Sequence, residues 1–289
     1  WVRGFEDGRF AAVCICLICT ELVLISAFAF SFRYHLIDSA AQLFQARIFA
    51  GGEVSGTLPA PAAFFYVQNM VLAGSRWYSQ YPPLHPLLLA AGELLGASWL
   101  VPVVLSGLSA LVIYALAGRM YGATAAKITL GLLVVCPFFL FVGASYMNHI
   151  SSMLFLACAL YAYVRWNEDG GGGWSVAVGV FLGCAALVRP LSVLAVGIVL
   201  CAAGLAFGRR GARGILCGAA GLAVPAALGL YYNKLTTGAA FLPGYLRLWG
   251  ASHGLGFHET PWGELHTFGR GVGSQAADLV RLHECLSEW

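Results

Sequence analysis

A single carboxylate, Asp38, stands immediately beyond the end of a long apolar run. Half-apolar helix patterns, a Tyr81-Pro82-Pro83 turn and several aromatics follow it. A carboxylate held at a membrane face beside such a platform points to chemistry on a lipid-borne substrate. Asp38 would then be the general base that deprotonates an acceptor hydroxyl or amine. The competing role is structural: at the start of a helix running from Asp38 to Ala50, the side chain would be an N-cap accepting amide hydrogen bonds. On that helix Ala41, Leu43, Phe44 and Ile48 turn toward an apolar phase, and Gln42, Gln45 and Arg47 turn elsewhere.

Three cations are candidates for a phosphate. Arg76 opens the run RWYSQYPPLHP, and arginine suits bidentate phosphate recognition. Arg189 precedes Pro190 between two apolar runs, where a buried arginine needs an anionic partner. That partner is Asp38, Glu21 or a substrate phosphate. Lys234 opens the polar tail that follows the last apolar run. His35, Gln42, Tyr78, Tyr81, His85, Asn148, His149, Tyr245 and His253 are the expected substrate contacts, because tyrosine and tryptophan suit the interface and the faces of sugars. An aromatic belt with a charged anchor is the plain alternative for the RWYSQY stretch, and a structural polar residue is the plain alternative for His149. Arg247 and His258 add to the tail's polar set. His253 and His258 are compatible with zinc, yet no His-Glu-x-x-His or paired-cysteine spacing accompanies them. No metal site and no required cofactor is expected.

Other patterns carry less. Nine cysteines are present, mostly inside apolar runs, and Cys14, Cys16 and Cys19 read as buried thiols rather than ligands. The Gly170–Gly173 run lacks the Gly-Lys-Ser/Thr ending of a phosphate loop and reads as a turn. Glu21 lies within the first apolar run and reads as paired or protonated between helices.

These residues must be positioned by a membrane bundle. The chain of 289 residues is 60% hydrophobic and 10% charged, against about 25% charged in a soluble domain; its mean hydropathy is +0.78. No basic stretch is interleaved with aromatics, which excludes a nucleic-acid groove. Spanning takes roughly 20 apolar residues, and the candidates are 10–32, 99–117, 124–142, 150–164, 174–188, 191–207 and 214–232. The expectation is therefore an all-α integral membrane protein, a bundle of about seven spans. The long first outer loop, 33–98, carries amphipathic juxtamembrane helices, and 233–289 forms an outer-face tail. The apolar stretch 83–96 is too short to span and reads as interfacial. Arg3, Arg9, Arg119, Lys127, Arg165, Arg209, Arg210 and Arg213 gather in short segments on one side, which makes the N-terminus cytoplasmic. Every polar cluster of interest then falls on the other face. The chain begins at Trp1 rather than Met and reads as one module of a longer protein.

Taken together, IDSAAQLFQARIFAGG, RWYSQYPPLHPLLLAAGELLG, YMNHISS, LVRPLSVLA, YNKLTTGAAFLPGY and HGLGFH resemble the bacterial membrane glycosyltransferases of the GT-C superfamily. The specific branch is dolichyl-phosphate-mannose-protein mannosyltransferase-like and includes the aminoarabinose transferases acting on lipid A. The resemblance runs from about Phe10 to the end and rests on the order and spacing of these stretches. It implies juxtamembrane helices in the first outer loop, a polyprenyl-phosphate sugar as donor, and an acidic residue of that loop, matched by Asp38, as catalytic base. Many members carry a second acidic residue there; Ser39 stands in its place. The mechanism implied is inverting transfer to a lipid, glycan or protein acceptor at the periplasmic or extracellular face of the bacterial inner membrane. Mannose, glucose, aminoarabinose and galacturonate all remain open as the sugar. A phosphate leaving group needs no separate general acid, unlike the carboxylate pair of glycoside hydrolases.

Two other classes compete. A lipid-linked sugar flippase or transporter would place ionisable residues and broken helices near the bilayer midplane, often with internal repeats. No repeat stands out, and the polar groups gather at one face. A structural subunit without activity would pack Asp38 against a neighbour and leave no cavity.

Overall fold

The computed structural model describes residues 2–207, 211–260 and 262–287. Arg209 and Arg210, two of the basic residues behind the expected orientation, lie outside the described residues. Helix α1 (Val2–Leu24) ends in a π-helical turn, Ile25–Ala29. The segment between α1 and α4 then holds α2 (Ile37–Ala50), three short strands and α3 (Leu84–Leu94). Helices α4 (Leu100–Tyr121), α5 (Ala123–Val134), α6 (Pro137–Ala144), α7 (His149–Asp169), α8 (Gly172–Ala186), α9 (Pro190–Phe207) and α10 (Gly211–Thr237) complete the bundle. The tail carries α11 (Gly244–Trp249), a 3₁₀ turn and α12 (Phe268–Ser287).

Each of the seven apolar segments is helical. Among the described residues, three helices are long and apolar enough to cross a membrane: Gly8–Ala29, Leu100–Tyr121 and Ala212–Thr237. A fourth span would be the pair α5 and α6, bent by 61°. The bend has a local cause, because Pro137 stands at the first turn of α6 and cannot donate the amide that would continue α5. Helix α8, with 15 residues, is shorter.

The first layer of the core joins α1, α4, α5, α6 and α7. Ile18 and Leu22 of α1 meet Val103, Ala110, Leu130, Phe139 and Ile150, all buried. Helices α2 and α3 pack on each other through Leu43, Ala46, Leu89 and Ala90, with Tyr146 from the α6–α7 connection. Both helices expected between residues 33 and 98 are therefore present.

A small sheet interrupts the expected run of helices and turns. Strands β1 (Gly56–Thr57), β2 (Met70–Ala73) and β3 (Arg76–Ser79) are antiparallel in the order β1-β3-β2. Only Gly74 and Ser75 separate β2 from β3, and Gly74 has φ +62°, a backbone glycine adopts without steric cost. The sheet lies on α2. Gln45 clamps them, its amide nitrogen donating to the Val54 carbonyl at 2.9 Å and its amide oxygen accepting from the Ser79 amide at 2.9 Å.

Helix α8 lies between α7 and α10. Its Gly179 and Gly183 face α10 so closely that a Cβ on Gly179 would collide with the Gly218 carbonyl, and one on Gly221 with the Val176 carbonyl. Membrane helices approach this way through small residues four apart. Gly179→Ala is expected to force the pair apart and destabilise the fold by about 1–3 kcal/mol. Gly197→Ala, where nothing stands within 4 Å of the added atom, should leave the melting temperature unchanged. Thermal unfolding in lipid nanodiscs checks both; equal melting of the two variants would refute the backbone contact.

Candidate active site

A cavity of about 600 Å³ opens where the ends of α2, α7, α9 and α10 meet β3, α11 and the turn after it. Arg119 near the C-terminal end of α4, and Arg165, Glu168 and Asp169 near that of α7, lie away from the cavity. Arg119 pairs there with Glu168, and Arg165 with Asp169.

Asp38 lines the cavity from the first turn of α2. It is not the N-cap: that position is Leu36, which makes no side-chain cap. Instead Asp38 Oδ1 accepts hydrogen bonds from the Tyr81 hydroxyl and from Asn69 Nδ2. Asn69 takes a left-handed backbone, φ +69°, which asparagine tolerates, as the chain turns into β2. Burial, and then the Asp38 carboxylate beside it, push the Tyr81 phenol well above its ordinary range. Tyr81 therefore stays a donor at any physiological pH. Both bonds converge on Oδ1.

Arg189, the residue before α9, lies on the cavity wall. Its Nη1 donates to Asn148 Oδ1 at 3.2 Å and to His149 Nε2 at 2.7 Å. Both partners are neutral acceptors, so the guanidinium charge is not cancelled by a carboxylate. The bond also assigns the histidine tautomer: Nε2 accepts, the proton is on Nδ1, and Nδ1 is buried without a partner. Gln42 Oε1 and Tyr232 OH, from cavity-lining residues, are also buried and unpaired. Burial raises the Tyr78 phenol; the Arg247 and Arg76 charges nearby act against it. Tyr245 is likewise raised by burial, and it stacks on His253 with centroids 5.6 Å apart.

Nine of the residues expected from sequence thus line one cavity: Asp38, Gln42, Tyr78, Tyr81, Asn148, His149, Arg189, Tyr245 and His253. Four lie elsewhere. Arg76 donates to the Leu235 and Thr236 carbonyls, at 2.9 and 3.4 Å, at the C-terminal end of α10. Lys234 donates to the Gly238 carbonyl at 2.9 Å. A helix end offers unpaired carbonyls and negative partial charge, so these two cations already have partners. His35 bonds the Phe30 carbonyl at 3.0 Å and packs on the Phe30 ring. His85 is buried behind the cavity, between the Tyr146 carbonyl and the Ser151 hydroxyl. His258 bonds the Gly254 and Glu259 carbonyls and does not join His253. Asn69, Gln80, Tyr232, Asn233 and Thr236 were not expected at the site. An asparagine at the start of a strand was the one available signal among them.

Burial pushes His85 down to about 4 from 6.5, with the Tyr146 carbonyl opposing and His149 adding to it. A histidine kept neutral in the folded state gains protons on unfolding, so its stabilising contribution is present above 6.5 and lost as pH falls toward 4. Melting temperature should therefore decline across that interval. His85→Gln should flatten the decline, and an equally steep fall in the variant would assign it to another group.

A second, apolar groove of about 450 Å³ runs along α4, α7 and α9 between Ile113, Leu116, Leu156 and Leu160. It shares His149, Arg189 and Ser192 with the cavity. The cavity that holds Asp38 and the apolar groove thus meet at one cation.

The family model described as dolichyl-phosphate-mannose-protein mannosyltransferase matches residues 80–231, more than half of the chain. The match takes in Tyr81, His85, Asn148, His149 and Arg189; Asp38, Asn69 and Tyr245 lie outside it. No curated protein and no solved structure matches the chain.

Proposed function

Because the chain belongs to the dolichyl-phosphate-mannose-protein mannosyltransferase family, it is a membrane glycosyltransferase of the GT-C type, and we propose that its donor is a sugar on a polyprenyl phosphate. The observation that carries this reading is the meeting of the Asp38 cavity and the apolar groove at Arg189. One amphipathic molecule would fill both: an isoprenoid chain along α4, α7 and α9, a phosphate at Arg189, and a sugar among Gln42, Tyr78, Tyr232 and His149. Unpaired buried polar atoms disfavour an empty site and favour a hydroxylated occupant. Arg76 and Lys234, bonded to helix-end carbonyls, are left out of the phosphate site.

In the proposed reaction the acceptor hydroxyl or amine attacks the anomeric carbon from the face opposite the phosphate. Its proton passes to Asp38 Oδ2, the oxygen that neither Tyr81 nor Asn69 engages. The bond between the anomeric carbon and the phosphate oxygen breaks, its electron pair stays on that oxygen, and Arg189 stabilises the released charge. Configuration inverts, and no general acid is needed. The proposal places the site at the periplasmic or extracellular face, with the N-terminus in the cytoplasm and all seven apolar segments embedded.

The test is transfer from a panel of radiolabelled polyprenyl-phosphate sugars in native-lipid membranes, with soluble nucleotide sugars as the comparison. Transfer from a lipid-linked donor alone is expected. Movement of such donors across the bilayer with no transfer would replace this reading with a flippase.

A further inference from the structure

We propose that Trp249 is a positioning residue that locks the end of the Asn69 amide facing Asp38. It acts through the hydrogen-bonded chain Trp249–Gln80–Asn69–Asp38. An indole N–H donates and never accepts. Trp249 Nε1 donates to Gln80 Oε1 at 2.8 Å, which fixes the orientation of the Gln80 amide. Gln80 Nε2 then donates to Asn69 Oδ1 at 2.8 Å. With its oxygen occupied, Asn69 must present Nδ2 to Asp38 Oδ1, as observed.

The two ends of an amide have nearly the same shape, so packing alone does not choose between them. Asp38, as a carboxylate, only accepts and so selects one of the two Asn69 orientations from the far end; the indole selects the same one from the head, and without it Asp38 alone holds that orientation. The wrong one sets Asn69 Oδ1 against the carboxylate, lone pair against lone pair. Water is a poor substitute at these positions: Asn69 is 6% exposed and Gln80 5%. The backbone clamps the two further, with the Gln80 amide donating to the Asn69 carbonyl at 3.0 Å.

Close approach of α11 makes the arrangement possible. Gly244 at its start leaves so little room that a Cβ there would lie 2.5 Å from the Gln80 carbonyl oxygen. Helix α11 therefore contributes Tyr245 to the cavity and Trp249 to the chain behind it. The consequence is a carboxylate held as an acceptor by two obligatory donors, Tyr81 and an oriented Asn69, with Oδ2 left for a proton. That last step rests on the proposed role of Asp38 as base; the orientation of the amides does not.

Isotope-edited infrared spectroscopy in nanodiscs at neutral pH, with the band assigned by Asp38→Asn, reads the hydrogen bonding of the Asp38 carboxylate from its antisymmetric stretch. Trp249→Phe removes the head donor, and Gln80→Leu breaks the chain one link closer, both without adding charge. Each is expected to shift that stretch, the signature of one weakened hydrogen bond to the carboxylate. The double variant should move it no further, because both changes act through one chain. In transfer assays, kcat should fall with the donor KM unchanged. A band unmoved in Trp249→Phe overturns the proposal. A band that moves in a protein transferring no sugar supports the chain and removes the glycosyltransferase role of Asp38 alone.

Discussion

Asp38→Asn is expected to lower sugar transfer by about 10²–10⁴-fold, the usual contribution of a positioned general base. The substitution preserves shape and retains an oxygen able to accept from Tyr81 and Asn69, which hold Oδ1 in the parent. The fold and the donor KM should therefore stay as they are. What is lost is the capacity of the second oxygen to take the acceptor's proton. The measurement is steady-state transfer from a radiolabelled polyprenyl-phosphate sugar, with thermal unfolding as the control for folding. Undiminished transfer would sink the assignment and turn attention to Glu53, exposed in the loop after α2, or to Glu21 in α1.

Arg189→Gln should lower kcat/KM for the donor by about 10²–10³-fold, the loss typical of one preorganised group facing developing charge. The magnitude follows from its surroundings. Its partners Asn148 and His149 are neutral, so the full cationic charge is available to a phosphate. Arg189→Lys should recover only part, because an ammonium cannot keep two acceptors and a phosphate in one plane. Varying the donor concentration separates binding from chemistry. Unchanged donor kinetics in Arg189→Gln would transfer the phosphate to Arg247, which stands beside Tyr78.

The legible parts of the site were those with a local pattern. The helix beginning at Asp38, the short helix within 83–96 and the break before Pro190 all follow from apolar spacing and proline, and each is present. The β2–β3 hairpin was missed although its Gly74-Ser75 pair is a turn signal, because its strands are only four residues each. Arg76 and Lys234 were placed on a phosphate because their charge is visible in sequence, whereas the helix-end carbonyls that they hold are visible only in the fold. Asn69, Gln80 and Trp249 carry no periodic signal at all. Gln80 and Trp249 lie 169 positions apart, and only the approach of α11 makes them neighbours. Apolar spacing located the helices of all seven segments, whereas the 61° bend between α5 and α6 is visible only in the fold.

The glycine contact between α8 and α10 has a mechanical consequence. Backbone there meets backbone, with no intervening layer of side chains to shift rotamers under load. Such a seam is stiff, and it leads directly to Tyr232, Asn233 and Thr236 on the cavity wall. The opposite wall comes from α11 and the 3₁₀ turn after it, a six-residue helix with no fully buried side chain. Differences in the size of the bound sugar or acceptor should therefore be absorbed on that side, so that one wall acts as an anvil and the other as a spring.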